Sequence, residues 1–479
     1  MKKSGMDIHK LSEHNMECPF TWISDQKYQK YVKDFCEKEF LLTDCEESPI
    51  TYFIQMNTLA YIRCKQNKFD SAEELISEIY DVWIKICESV SEQNNYSVDV
   101  LIHIKDATAL CIYKMNGKKD QAKALEIQIK DAKNFNSNIE KGTIFGSKAI
   151  ALCVFVDKNN DTALQSANLA ITNSPNCALW HYIRAYCLRT ERRQKNSCSI
   201  VSEEEKQEFL KCYELSPSDH YKICIARMYK ECKNKDLKRK SKDMYNDMYK
   251  DMLKNPKNSK VTSILALHFI GQRDRIKAKS CLDNVKKCIH SDKTYKAYHH
   301  YLGKYYETFH DYPKAKENYL AATGEMGNFH ADSDYLYLIR KTSKSKDDDD
   351  KVINHLEKML ERYEDDKSRR LFILLNLAIM YLFKNKNLML AAENFLKALE
   401  IEAIEIKHFE NFRMSFKDKE KHNIFDLISN ILTAVNQNNN ENTFKKLKNY
   451  CIGYNKRIER SNDANLLKTK FTEVLLLEK

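Results

Sequence analysis

Glycine and proline are scarce, nine and six in 479 residues. A doubly wound α/β enzyme needs glycine in phosphate loops and turns, and a β-sandwich needs it at hairpins and bulges, so that roughly 7% glycine is ordinary. The shortage excludes both classes and leaves a chain that is nearly all helix. Also missing are any C-x-x-C pair, any G-x-S-x-G or H-E-x-x-H motif, and any Cys/His spacing suited to zinc. No enzyme class, metal or cofactor is therefore expected. The 16 cysteines are scattered singly in a chain long enough to be stable without staples, which reads as buried thiols in a reducing compartment. The longest apolar run, Leu371 to Phe383, contains Asn376 and is too short to span a bilayer. The opening MKKSGMDIHKLSEHN has no apolar segment behind its basic residues. A soluble, cytoplasmic protein with no membrane partner is the expectation.

What is present is core material and mild positive charge. Hydrophobic residues make up 43% of the chain, with 27 Tyr and 21 Phe. Lys and Arg number 79 against 68 Asp and Glu, a net +11 that is compatible with polyanions without the density of a dedicated nucleic-acid binder. The one approach to a phosphate loop, GTIFGSK at 142–148, has the wrong glycine spacing and the order Gly-Ser-Lys, so it reads as a helix. His299 and His300 are adjacent and point about 100° apart on a helix, which rules them out as a shared metal pair.

A helical chain of this length invites a search for internal repeats. Small or apolar residues recur at a spacing of twelve as Ala60/Ala72, Leu110/Ala122, Ala151/Ala163, Ala266/Ala278 and Gly303/Ala315, and with one inserted residue as Ala378/Ala391. A large apolar residue recurs three after the first of a pair at Tyr113, Val154, Phe269, Tyr306 and Tyr381, and four after the second at Ile76, Leu282, Tyr319 and Phe395. Pro175 and Pro217 sit where one repeat turns into the next. This is the tetratricopeptide (TPR) pattern. It implies an all-α, right-handed TPR solenoid of about eight or nine helix pairs, a single array with approximate subdomains 1–135, 136–340 (the central groove) and 341–479. Segments 190–205, 231–260, 341–351 and 436–441 read as loop insertions or subdomain joints.

In a TPR the first helix of each pair lines the groove, and residues beside the small crossing residue face it. That register selects Tyr61, Lys65, Lys114, Lys148, Tyr182, Tyr186, Arg189, Arg227, Lys230, His300 and Lys304, against few acids, chiefly Glu231 and Glu307. Lys and Arg neutralise phosphates while aromatic rings stack on unpaired bases, so the composition suits single-stranded nucleic acid. A basic TPR groove equally suits an acidic peptide terminus, and a protein–protein adaptor without direct RNA binding stays open beside the first reading.

The segment MECPFTW (Met16 to Trp22), then EFLL (Glu39 to Leu42) and NTLAYIRCKQNKFDSAEEL (Asn57 to Leu75), resembles the opening of the interferon-induced proteins with tetratricopeptide repeats, the IFIT family. EKG at 140–142, NSPN at 173–176 and FLKCYELSPSDHY at 209–221 follow in the family's order. The resemblance implies a cytosolic antiviral effector of innate immunity. Some members bind the 5′ end of viral single-stranded RNA, including 5′-triphosphate RNA, and others act through protein partners, family members among them. The phosphate pocket it implies departs in detail. Val154 stands at a family lysine, Thr190 at an arginine, and Phe269, Ile270, Gly271 and Gln272 at an F-Y-R-R segment, leaving Arg273. Glu37 stands where a neutral residue contacts the triphosphate. Lys33, Lys148, Arg189 and Arg192 are the cations available to compensate.

Overall fold

The computed structural model describes residues 15–23, 32, 48–91, 95–155, 161–195, 200–255, 259–287, 289, 292–324, 327–343, 345–364, 366–401, 406–415, 417–434 and 442–456. Lys33, Glu37, the EFLL segment and 436–441 lie outside them. Among the described residues the structure is helical, with a single isolated bridge between Phe412 and His422. No described helix is long and apolar enough to cross a membrane. The chain forms two compact units, residues 1–288 and 289–479, and the boundary falls inside the segment 136–340 read as one central groove.

The first unit begins with a short helix, α1 (Pro19–Trp22), followed by six helix pairs: α2 (Pro49–Lys65) with α3 (Phe69–Ser91), α4 (Val98–Met115) with α5 (Lys119–Gln128), α6 (Asn138–Cys153) with α7 (Asp161–Asn173), α8 (Ala178–Lys195) with α9 (Glu203–Leu215), α10 (Asp219–Glu231) with α11 (Lys235–Lys254), and α12 (Ser259–Gly271) with α13 (Arg275–Lys287). The second unit holds three pairs among its described residues: α14 (Asp292–Thr308) with α15 (Tyr312–Thr323), α16 (Phe329–Thr342) with α17 (Lys346–Arg362), and α18 (Lys367–Phe383) with α19 (Leu388–Leu399). After these come α20 (Lys407–Glu410) and α21 (Ile424–Ala434). Side chains of Ser97, Ser137, Ser202, Ser218, Asn234, Asp311, Asn328, Asp366 and Asn387 accept from backbone N–H groups of the first turn and start their helices.

The repeat is a packing rule. Every residue of the six spaced pairs is buried, and Ala60, Ala72, Ala151, Ala163, Ala266, Ala278, Ala315, Ala378 and Ala391 are wholly inaccessible, so each pair closes where the helices cross. The hairpin turns repeat too. Asn67, Gly117, Arg273 and His310 take positive φ, each seven residues after the small residue of its first helix. The next residue's N–H then reaches back in the same way each time, Lys68 to Arg63, Lys118 to Tyr113, Asp274 to Phe269 and Asp311 to Tyr306, at 2.9–3.0 Å. This 6→1 bond satisfies a helix-end carbonyl that would otherwise be orphaned. At the inserted residue the left-handed position moves to Lys386, and Asn387 donates to Tyr381 instead.

Several sequence expectations change here. Residues 190–195 continue α8, and Lys235–Lys254 is one twenty-residue helix rather than a joint. The segment 341–351 is mostly helical, because Asp347, Asp348 and Asp349 occupy the first turn of α17, where the positive end of the helix dipole favours them. GTIFGSK lies within α6, and a Cβ at Gly146 would run into the ring of Trp180. The MECPFTW segment is structural: Phe20 meets Tyr61 edge-on at 4.9 Å, the Tyr61 hydroxyl donates to the Ile23 carbonyl at 3.0 Å, and the Glu17 N–H donates to His103 Nε2 at 2.9 Å. The cysteines whose side chains the structure describes are free thiols, and all of these but Cys153 are buried.

Candidate functional site

Three successive first helices, α8, α10 and α12, build a cavity of about 490 Å³ in the first unit. Helix α8 contributes Tyr182, Tyr186, Arg189, Thr190 and Arg193, one helical face at successive turns. From α10 come His220, Ile223, Cys224 and Arg227, and from α12 Lys260 and Ile264. Four cations line this space, and no lining residue is acidic.

The arginines differ in what they do. Arg189 is 6% exposed: its guanidinium lies 4.1 Å over the Phe209 ring, donates to the Cys224 carbonyl at 3.2 Å and approaches Glu205 at 3.5 Å. Arg192 donates to both oxygens of Glu205, at 2.7 and 3.1 Å, and to Glu231 at 2.6 Å. Hydrogen bonding to Glu205, against burial, pushes the Arg192 pKa up, so its charge is permanent and spent. Burial alone would raise the Glu231 carboxyl, but hydrogen bonds from Arg192 and Arg193 outweigh it and hold the pKa below the usual range. Arg227 is half-buried, lines the cavity, and makes no hydrogen bond or ion pair among the described residues. Tyr182 packs at 5.0 Å on His220 and 5.5 Å on Tyr221, while the ring of Tyr186 is 39% exposed toward the same space.

Of the expected groove residues, Tyr182, Tyr186, Arg189 and Arg227 come together here. Arg192, Lys230 and Lys148 do not line the cavity: Arg192 is consumed by Glu205 and Glu231, Lys230 is exposed further along α10, and Lys148 is half-buried on α6. Lys114 is held by Glu126 at 2.7 Å, and Lys65 lies near the rings of Phe20 and Tyr61. His300 and Lys304 belong to the second unit, where Asp334 takes both, at 2.9 and 2.8 Å, along with Lys417 at 2.9 Å. Burial depresses the His300 pKa despite Asp334. Lys304 is neutralised rather than displayed, and His300 is buried against Asp334. Sequence reasoning missed Arg193, His220 and Lys260. The i+4 spacing from Arg189 to Arg193 and the i+4 step from Lys260 to Ile264 were the available signals. Thr190 lines the cavity beside Arg189, whereas Val154 and Arg273 do not, and Arg273 is the left-handed turn residue of its pair.

Solved structures share this architecture, among them two of human IFIT1. A human IFIT1 dimer with PPP-AAAA matches at 13% identity over 89% of this chain and 92% of that one, with a TM-score of 0.50. A human IFIT1 dimer with m7Gppp-AAAA matches at 14% identity over 95% and 100%, also at 0.50. The chain has an all-α TPR solenoid fold. No protein-family model matches the sequence, and no curated protein matches it.

Proposed function

We propose that this chain is an IFIT-like TPR protein that binds single-stranded RNA in the α8/α10/α12 cavity, with a 5′-triphosphate end as the ligand to test first. The observation that carries the reading is the cavity wall: Arg227, which no described carboxylate engages, with Lys260 and the exposed Tyr186 ring, flanked by Arg189 and Arg193, whose acids Glu205 and Glu231 lie outside the lining. A volume of about 490 Å³ is within the range of small-molecule sites, enough for a nucleotide-sized group. Guanidinium forks match phosphate oxygens in pairs, and the ring supplies a stacking face that tolerates any base. The role is binding rather than catalysis. RNA of related end chemistry is bound by the human IFIT1 structures whose fold this chain shares. The Met16 to Trp22 resemblance supports membership of that family and a cytosolic antiviral role.

The double variant Tyr186→Ala/Arg227→Ala tests the reading by fluorescence anisotropy with a labelled single-stranded RNA. Affinity should fall at least thirtyfold while helicity by circular dichroism is unchanged. Undiminished binding by a folded double variant would remove the cavity from the account. No RNA binding by the folded parent even at low salt, where phosphate contacts are strongest, would favour the adaptor reading.

A further inference from the structure

A second basic surface adjoins the cavity. On α11 the exposed residues Lys235, Lys238 and Lys242 follow one another at i, i+3 and i+7 and so form a single stripe. Asp236, Asp243 and Asp247, also exposed, lie on a different stripe of the helix. On that other stripe Asp236 is paired with Arg239 at 3.4 Å and Asp247 with Lys250 at 3.6 Å, so these acids are taken up there and leave the three-lysine stripe uncompensated. Lys235 and Lys238 also sit in the first turn, where the helix dipole disfavours cations, so local helix stability does not account for them. None of the three lysines makes an ion pair among the described residues.

The packing beneath α11 ties this stripe to the cavity. Tyr245 of α11 is buried, and its ring stacks on His268 of α12 at 3.7 Å. His268 stands one helical turn beyond the lining residue Ile264, is 7% exposed, and its Nδ1 has no hydrogen-bond partner. The charges of Lys230, Lys242 and Lys277 all act on this imidazole. Lys277 is held by Asn246 at 2.9 Å and Asp274 at 3.4 Å, whereas Lys230 and Lys242 are exposed and unpaired among the described residues. Lys230 in turn follows Arg227 by three residues on α10. Cations therefore run from the cavity wall at Arg227 to Lys230 at the end of α10 and, across the turn that joins the pair, to Lys235, Lys238 and Lys242 on α11.

We infer that this run is a track for the sugar–phosphate backbone of the nucleotides that follow the RNA end held in the cavity. The inference rests on the RNA reading above. At 1.5 Å rise per residue, Lys235 to Lys242 spans about 10 Å, room for two or three phosphates. Each neutralised single-strand phosphate steepens the fall of log affinity with log salt by about 0.7, so three contacts add about 2 to the slope. The track reads no base, only chain length.

The test compares two 5′-triphosphate single-stranded RNAs, of four and of sixteen nucleotides, binding to the full chain and to the variant Lys235→Gln/Lys238→Gln/Lys242→Gln. All three residues are exposed, and circular dichroism confirms folding. The parent should bind the longer RNA more tightly, with a slope steeper by about 2, which is an additional loss of about tenfold to twentyfold between 50 and 200 mM salt. The variant should bind the short RNA as the parent does and lose the length-dependent gain, at least tenfold. Equal binding of both lengths by the parent overturns the track, as does a variant that still discriminates length or that weakens both RNAs alike. In each of these cases short-RNA binding by the parent keeps the cavity reading intact. No binding of either RNA overturns both.

Discussion

Arg227→Ala isolates the site's charge from its stability. Arg227 projects into the cavity, half-buried, and no described carboxylate shares its charge. Its loss therefore leaves no buried acid uncompensated, and unfolding free energy should change by no more than about 0.5–1 kcal/mol. For RNA the same change removes a charge-assisted hydrogen bond worth about 1.5–3 kcal/mol, a weakening of roughly tenfold to 150-fold. Arg192→Ala is the internal control, because Arg192 spends its donors on Glu205 and Glu231 outside the cavity. Removing it strands part of the charge of Glu205, which is wholly buried, and should cost about 3–5 kcal/mol of stability. At about 2–4 °C per kcal/mol the melting temperature should drop by roughly 6–20 °C. Anisotropy titration at fixed salt and a thermal melt on each variant give the pattern directly. The reasoning is refuted if Arg227→Ala binds RNA within twofold of the parent, or if Arg192→Ala proves the milder variant in the melt.

Other consequences are equally specific. Gly303→Ala would place a Cβ 2.5 Å from the ring of the fully buried Tyr319, so it should destabilise the second unit by about 1–3 kcal/mol in urea unfolding, although alanine is the better helix former. Burial, aided by Lys230, Lys242 and Lys277, lowers the His268 pKa from 6.5 to about 4. The unfolded chain thus binds the extra proton first. The contribution is fully present above pH 6.5 and lost as pH falls toward 4, on the order of 3 kcal/mol, and a His268→Phe variant should lack that part of the acid sensitivity in melts at pH 7 and pH 5. His300→Ala/Lys304→Ala should leave RNA affinity within twofold, since Asp334 already engages both side chains; a larger loss would return them to the site.

The fold was legible because the TPR pattern is a packing rule written in residue size. The spacing of Ala266 and Ala278 states directly where two helices touch, and the left-handed turn at Arg273 falls between them at the same offset as Asn67. The segments misread as loops were judged by composition, and capping overrode composition: Asn234 and the acidic first turn of α17 turn Lys-rich and Asp-rich stretches into helix. Within the site, the register found four of the residues that line the cavity from α8 and α10. Arg192, which enters only as a compensating cation for the pocket the resemblance implies, is consumed by partners that lie on other helices. Glu205 is thirteen residues away and Glu231 thirty-nine, and only the stacked pairs bring them into contact. The same holds for Asp334, which silences Lys304 from the next repeat.

The central claim is that the α8/α10/α12 cavity receives the phosphorylated end of a single-stranded RNA. The most direct measurement is a titration of the full chain with one short RNA carrying a 5′-triphosphate, a 5′-monophosphate or a 5′-hydroxyl, each at two salt concentrations. The account predicts affinity in that order, with the steepest salt dependence for the triphosphate. Equal affinity for the three ends, or no binding at moderate salt, would contradict it.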